Sequence, residues 1–301
     1  MLRAPHRMSL DAFRSWLERR LGRPPSPPPR DNRENSLKMM DESVSMSARE
    51  QRKETADPGG VPMFRGIDLP GAYRHQDYHE VLPVTQEDLS RWFSTSRMLR
   101  YGDADPVGQY VWNARVSKAF LEDIGHVEVL LRNFIDSRLT QDAGTRLWWE
   151  SDRYPRLGSF RRNVNKVVAR IEAAGHEPEP DQIVAGLSLD NWRFLLIPRL
   201  EATIWKALIS LENGGMPHYP GRSRADFEAN VELVRIVRNR ASHQEPLVSA
   251  TGDSGDIERL QSYMAAIDMV ASSIDPRAAA WIAMNSRIPS VLAEQQRLAS
   301  S

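Results

Sequence analysis

A chain of 301 residues in which 40 lysines and arginines balance 40 aspartates and glutamates has no global field to attract nucleic acid or an acidic membrane, so such binding needs a local patch. The absence of cysteine excludes disulfides, thiolate zinc sites and cysteine nucleophiles, and suits a reducing compartment. No apolar run approaches the roughly 20 residues needed to span a bilayer, and the charged N-terminus lacks the apolar stretch of a secretory signal; the expectation is a soluble, cytoplasmic protein without a membrane partner.

Residues 1–80 read as a largely disordered tail. Within it "LDAFRSWLERRL" can form a short amphipathic helix, with Leu10, Phe13, Trp16, Leu17 and Leu21 on one side. "RPPSPPPR" then ends any helix, because successive prolines remove donors and favour an extended chain. The stretch 31–60 is polar and charged, and poor in large hydrophobes other than methionine. His75 and His79, the one pair of the seven histidines spaced by four, stand in this tail and make a weak metal signal.

Residues 81–301 read as a single helical domain. In "VTQEDLSRWF", Thr85 followed three residues later by Asp88 is a helix-start signal. Over 117–139, at about 100° per residue, Phe120, Ile124, Val127, Leu131, Phe134 and Ile135 share one sector, which predicts a core-facing helix. Further helices are predicted over 161–175, over 191–212 with a bend at Pro198, over 224–244 and over 256–274. A last, short one is predicted over 276–287. Strand-like alternation is scarce and no repeat of fixed period occurs, so the expected fold class is all-α: a helical bundle with a disordered N-terminal extension.

Several chemistries are missing. No glycine-rich phosphate loop and no H-E-x-x-H pair occur, and "GLSLD" at 186–190 has Asp190 where a nucleophile elbow needs its second glycine. Neither a cofactor nor a metal is expected.

What remains is "VRIVRNRASHQEPL", residues 234–247. On a helical wheel Phe227, Val231, Val234 and Ala241 form an apolar stripe with Arg238 near its centre, while Asn239 and His243 stack on an adjoining face. A guanidinium inside a core stripe needs a carboxylate, a carbonyl or a ligand phosphate. Two plain explanations stand beside a phosphate site: a basic last turn that caps carbonyls, or Arg238 in a buried ion pair of a helical scaffold.

Arg238-Asn239 followed by His243 matches the R-x4–6-H motif of the HEPN superfamily, whose name refers to nucleotide binding in higher eukaryotes and prokaryotes. "VEVLLRNFIDSRL", "LSLDNWRFLL" and "LVRIVRNRASHQEPL" occur in this order and resemble the successive blocks of the bacterial Abi-like (abortive infection) proteins. "RAAAWIAMNSRIPSVL" is similar to the C-terminal segment of actinobacterial members. The resemblance spans residues 85–295; one departure is Gln244, where many members carry a second histidine. It implies a HEPN-like helical domain, metal-independent RNA cleavage in active relatives, and Arg238, Asn239 and His243 as the matching site positions. It also implies a role in phage defence or as the toxin of a toxin–antitoxin pair, with an antitoxin protein as partner.

In that reading His243 is the general base or acid, Arg238 holds the phosphate, and Asn239 orients one or the other. Arg240 and Arg235 extend the track for the nucleic-acid backbone. The reaction wants both an acid and a base, and the motif supplies one histidine per chain. A two-fold homodimer would bring two copies of the helix face together. The alternative is a non-catalytic HEPN module that binds RNA, a nucleotide or a protein partner through the same cleft.

Overall fold

Thr85 starts the first helix of the described residues as its spacing predicts. Its hydroxyl accepts from the Asp88 amide at 3.2 Å, while the Asp88 carboxylate accepts from the Thr85 amide at 3.1 Å, so two donors that no helix turn reaches are satisfied reciprocally. The computed structural model describes residues 83–102, 105–247 and 254–298. The chain divides into two units, Met1–Leu82 and Pro83–Ser301, and all of the described residues lie in the second. The expected tail, its amphipathic helix and the His75–His79 pair lie outside the described residues.

Helix α1 (Gln86–Phe93) ends at Ser94, whose φ of 80° cannot continue a helix. A short α2 (Thr95–Met98) and a 3-10 turn (Leu99–Tyr101) follow. Helix α3 (Pro106–Ala143) is the axis of the fold: 38 residues, or about 57 Å. Asp105 caps it by accepting from the Gly108 amide at 2.9 Å, Pro106 occupies the first turn where its missing N–H costs nothing, and Gly144 ends it with a left-handed φ of 69°. The stripe predicted for 117–139 is buried at Phe120, Ile124, Val127, Leu131 and Ile135, while Phe134 lies partly buried at the margin. The helix runs farther than predicted in both directions, because Asp105-Pro106 and Gly144 are the real stop signals.

Beyond α3 come α4 (Gly158–Ala173), α5 (Pro180–Gly186) and α6 (Leu189–Phe194). The long helix predicted over 191–212 is replaced by short pieces. Ile197 before Pro198 is extended, and the chain then passes through a 3-10 turn (Pro198–Leu200), a π turn (Glu201–Trp205) and the single-turn α7 (Lys206–Leu208). Proline breaks the run outright because it forbids helical geometry in the residue before it and donates no hydrogen bond. Helices α8 (Arg224–Ser242), α9 (Ser254–Ile274) and α10 (Pro276–Asn285) match the predicted segments closely. Helix α11 (Ile288–Leu298) was not predicted.

Helix α3 packs against α8, α9 and α11, and α9 against α8 and α10. One end of the core is aromatic: Trp148 meets Trp149 and Tyr154 edge-on and lies tilted against Phe160, which meets Trp192. The described residues hold no strand, so the fold class is all-α with helix-on-helix packing. Among them no helix is long and apolar enough to cross a membrane.

Candidate functional site

Helix α8 carries the motif. Ser223 caps its start by accepting from the Asp226 amide at 3.2 Å, and Phe227, Val231, Val234, Val237 and Ala241 are buried along it. Its first three turns are a closed electrostatic system. Arg224, only 9% exposed, donates to Glu201 at 3.0 Å, to Glu228 and to the Leu196 carbonyl at 2.7 Å. Arg193 on α6 pairs with Glu228 and Glu232. Arg235 makes two hydrogen bonds to Glu232, at 2.8 and 2.7 Å, and lies 3.5 Å from Asp190. These bonds hold the Glu232 carboxyl below its ordinary range and push the Arg235 guanidinium up.

In the last turn the balance ends. Arg238 is half-buried, and among the described residues it forms no ion pair; its Nη1 donates instead to the Asn239 side-chain oxygen at 3.2 Å. The wheel placed Arg238 at the centre of the stripe. The buried positions, however, follow steps of three and four that average below the 3.6 of a straight helix, so the stripe winds round α8 and reaches Val237 and Ala241 in the last turn. The guanidinium is thus released toward the face that carries Asn239 and His243. His243 is exposed, and among the described residues its imidazole has no hydrogen-bond partner. Arg240 donates to the Pro246 carbonyl and lies 3.8 Å from Glu245. Arg235 and Arg240 therefore both have acidic neighbours, whereas Arg238 has none among the described residues.

The helix stops in a double hydrogen-bonded turn. The Glu245 amide donates to the Arg240 carbonyl at 2.8 Å and the Gln244 amide to the Ala241 carbonyl at 3.1 Å, with Gln244 left-handed at φ 54°. Side chains distant in sequence then fix the backbone that follows. Arg97 on α2 donates to the Gln244 carbonyl at 2.9 Å. Asn113 on α3, fully buried, donates to the Glu245 carbonyl at 3.4 Å and accepts from the Leu247 amide at 2.8 Å. Arg259 on α9 reaches the Leu247 carbonyl at 3.2 Å through two nitrogens.

Arg97, Asn113 and Arg259 were not anticipated. Only Asn113 left a trace in the sequence: it stands seven residues before Phe120, a polar side chain in register with an apolar stripe.

The two roomiest of three clefts among the described residues lie elsewhere. One, of about 690 Å³, is lined by Arg132, Asp136, Thr140, Arg146 and Asp181, but its Arg146 and Asp181 neutralise each other and Asp136 accepts from the Trp148 indole at 2.8 Å. The other, of about 580 Å³, lies between α3 and α10 beside His126 and Trp281. Neither is lined by Arg238, Asn239 or His243. Among the described residues no cluster of three or more histidines and carboxylates is arranged to hold a metal ion. The chain matches no family model, no curated protein and no solved structure.

Proposed function

We propose that this chain is a metal-independent endoribonuclease of the Abi-like HEPN type, acting in phage defence or in toxin–antitoxin growth arrest, with Arg238, Asn239 and His243 as its catalytic residues. One observation carries the reading. At the end of α8 a half-buried guanidinium without a carboxylate partner among the described residues is turned toward Asn239, which shares the helix face of an unengaged imidazole. A half-buried cation without an anion, on a helix whose other arginines all have acidic neighbours, suits an anionic ligand.

RNA supplies that anion. With the phosphate on Arg238, one imidazole takes the proton of the adjacent ribose 2′-hydroxyl, whose oxygen attacks phosphorus. The bond to the 5′-oxygen breaks, and a second imidazole delivers a proton to the leaving oxygen. The products are a 2′,3′-cyclic phosphate and a 5′-hydroxyl. Because each chain brings one motif histidine, the second imidazole is His243 of the partner subunit in a two-fold homodimer.

The second reading, a non-catalytic module binding RNA, a nucleotide or a protein, draws on the same imidazole. Bases in active sites are usually held by a third group, and His243 has no such group among the described residues.

Induced expression of the wild type beside His243→Ala, with total RNA examined from both cultures, separates the two. Growth arrest with RNA fragments ending in cyclic phosphate from the wild type alone supports the nuclease. RNA binding without cleavage by purified protein of either sequence supports the module. Arrest by both proteins removes His243 from the centre of the activity.

A further inference from the structure

Residues 153–171 carry five arginines, one lysine and no acidic residue, in a chain whose charges sum to zero. Most of this run is helix α4, and the fold sorts its cations into two kinds. Arg153 is paired with Asp142, and Arg161 is engaged by the carbonyls of Trp149, Ser151 and Tyr154. Arg162, Lys166 and Arg170 are exposed. Steps of four set these three along one ridge of α4, each turned about 40° from the last and about 6 Å farther along the axis. Phe160, Val164 and Val167 are buried on the other side of the helix.

Among the described residues no carboxylate pairs with the ridge. Arg162 donates to the Ser159 hydroxyl at 3.0 Å and Arg170 to the Gly186 carbonyl at 3.4 Å, both of them neutral partners. Glu172, the acid of α4 itself, lies about 120° round the helix from Lys166. Arg161, about 140° round in the same sense, holds the segment with Glu150 and Asp152 on that side. On the neighbouring α5 and α6, Asp181 is paired with Arg146 and Asp190 lies beside Arg235. Glu177 and Glu179, between α4 and α5, form no ion pair with the ridge among the described residues. The ridge is also remote from the motif. Asp142, which accepts from Tyr154 just before α4, stands about 43 Å along α3 from Asn113, which holds the loop after His243.

Three cations in a row without counter-charge suit a polyanion. An acidic protein segment would need an apolar anchor, because exposed ion pairs alone contribute about 0–1 kcal/mol each. The exposed residues beside the ridge on α4 are Asn165, Ala169 and Ala173, which provide none. A single nucleic-acid strand would need aromatic faces for its bases, and α4 exposes no aromatic ring. A duplex needs neither. Its backbone is a stiff array with one charge per about 1.7 Å of axis, and arginine meets phosphate through two parallel hydrogen bonds.

We infer that Arg162, Lys166 and Arg170 form a track for the phosphodiester backbone of a nucleic-acid duplex, held without regard to base sequence. This surface is separate from the Arg238–His243 site and does not rest on the nuclease reading.

The test uses the full chain and a labelled DNA duplex of about 20 base pairs, followed by fluorescence anisotropy from about 50 to 200 mM salt. DNA has no 2′-hydroxyl for the proposed cleavage to use, so the probe stays intact. The duplex should bind more tightly than either of its strands alone. Three phosphate contacts contribute a slope of about −2.7 to log K against log salt, which is about 40-fold in affinity across this range. Arg162→Gln, Lys166→Gln and Arg170→Gln together should remove that share of the slope. Arg162→Lys with Arg170→Lys keeps the charge and should keep the slope. Unchanged thermal melting shows that the variants fold. An unchanged slope in the glutamine variant, a single strand that binds as tightly as the duplex, or no binding of the duplex at the lowest salt overturns the proposal. So does displacement of the duplex by poly-L-glutamate at equal charge, which would assign the ridge to an acidic protein segment.

Discussion

Gln244 holds a backbone shape that glycine adopts at no steric cost. At φ 54° it is the left-handed residue of the helix stop, where a Cβ is penalised by about 1–2 kcal/mol. Its contribution to the site is through its main chain: the amide closes the turn and the carbonyl receives Arg97. Gln244→Gly should therefore raise stability by about 1 kcal/mol, reduced somewhat by the greater freedom of glycine in the unfolded chain, with the slope of urea unfolding unchanged. A loss of stability in that experiment would mean that the glutamine side chain makes a contact worth more than the strain.

At the scale of elements, α8 carries one arginine built into the fold and one proposed to act on a ligand. Arg224 is buried among Glu201, Glu228 and the Leu196 carbonyl, so Arg224→Ala strands two carboxylates and should cost about 3–5 kcal/mol. Arg238 is half-buried with a single neutral partner, and Arg238→Ala should cost less than about 1.5 kcal/mol, the net worth of an ordinary hydrogen bond. Denaturant unfolding of both variants checks this order, and its reversal would restore the plain scaffold reading of Arg238. The sequence placed Arg238 near the centre of an apolar stripe and left a buried ion pair as one open explanation, whereas the buried, paired arginine of α8 is Arg224. A wheel of fixed 100° steps assumes a straight stripe, and the real stripe winds away from Arg238 by the last turn. The same limit governs the rest. Helices α3, α8, α9 and α10 were legible because each buries one face and so writes its period into the residues. The stretch 191–212 was illegible because its apolar residues keep helical spacing across a proline that breaks the backbone. The clamp on residues 244–247 was illegible for a different reason. Arg97 and Asn113 lie more than a hundred positions from the carbonyls they hold, and main-chain acceptors carry no residue code.

For the whole molecule the constraint is charge. Forty cations against forty anions give no long-range attraction for RNA, and on α8 the cations before the last turn are already paired. On α8 itself a single Arg238 without an acidic neighbour among the described residues is a weak anchor for a polyanion. Two brought together across a symmetry axis double the local charge and provide both an acid and a base, which is the physical case for a homodimer with a composite site. A composite site also makes a quantitative demand on mixed populations. When equal amounts of wild type and His243→Ala chains are unfolded together and reassembled, random pairing puts about half of the wild-type chains into dimers with the variant. If each cleavage event needs both histidines, activity per wild-type chain should fall to about half, and further as the variant is added in excess. If each chain holds a complete site, activity per wild-type chain should not change at any ratio. The titration decides between these without a structure of the dimer, because the curve depends only on how many intact histidines one cut requires.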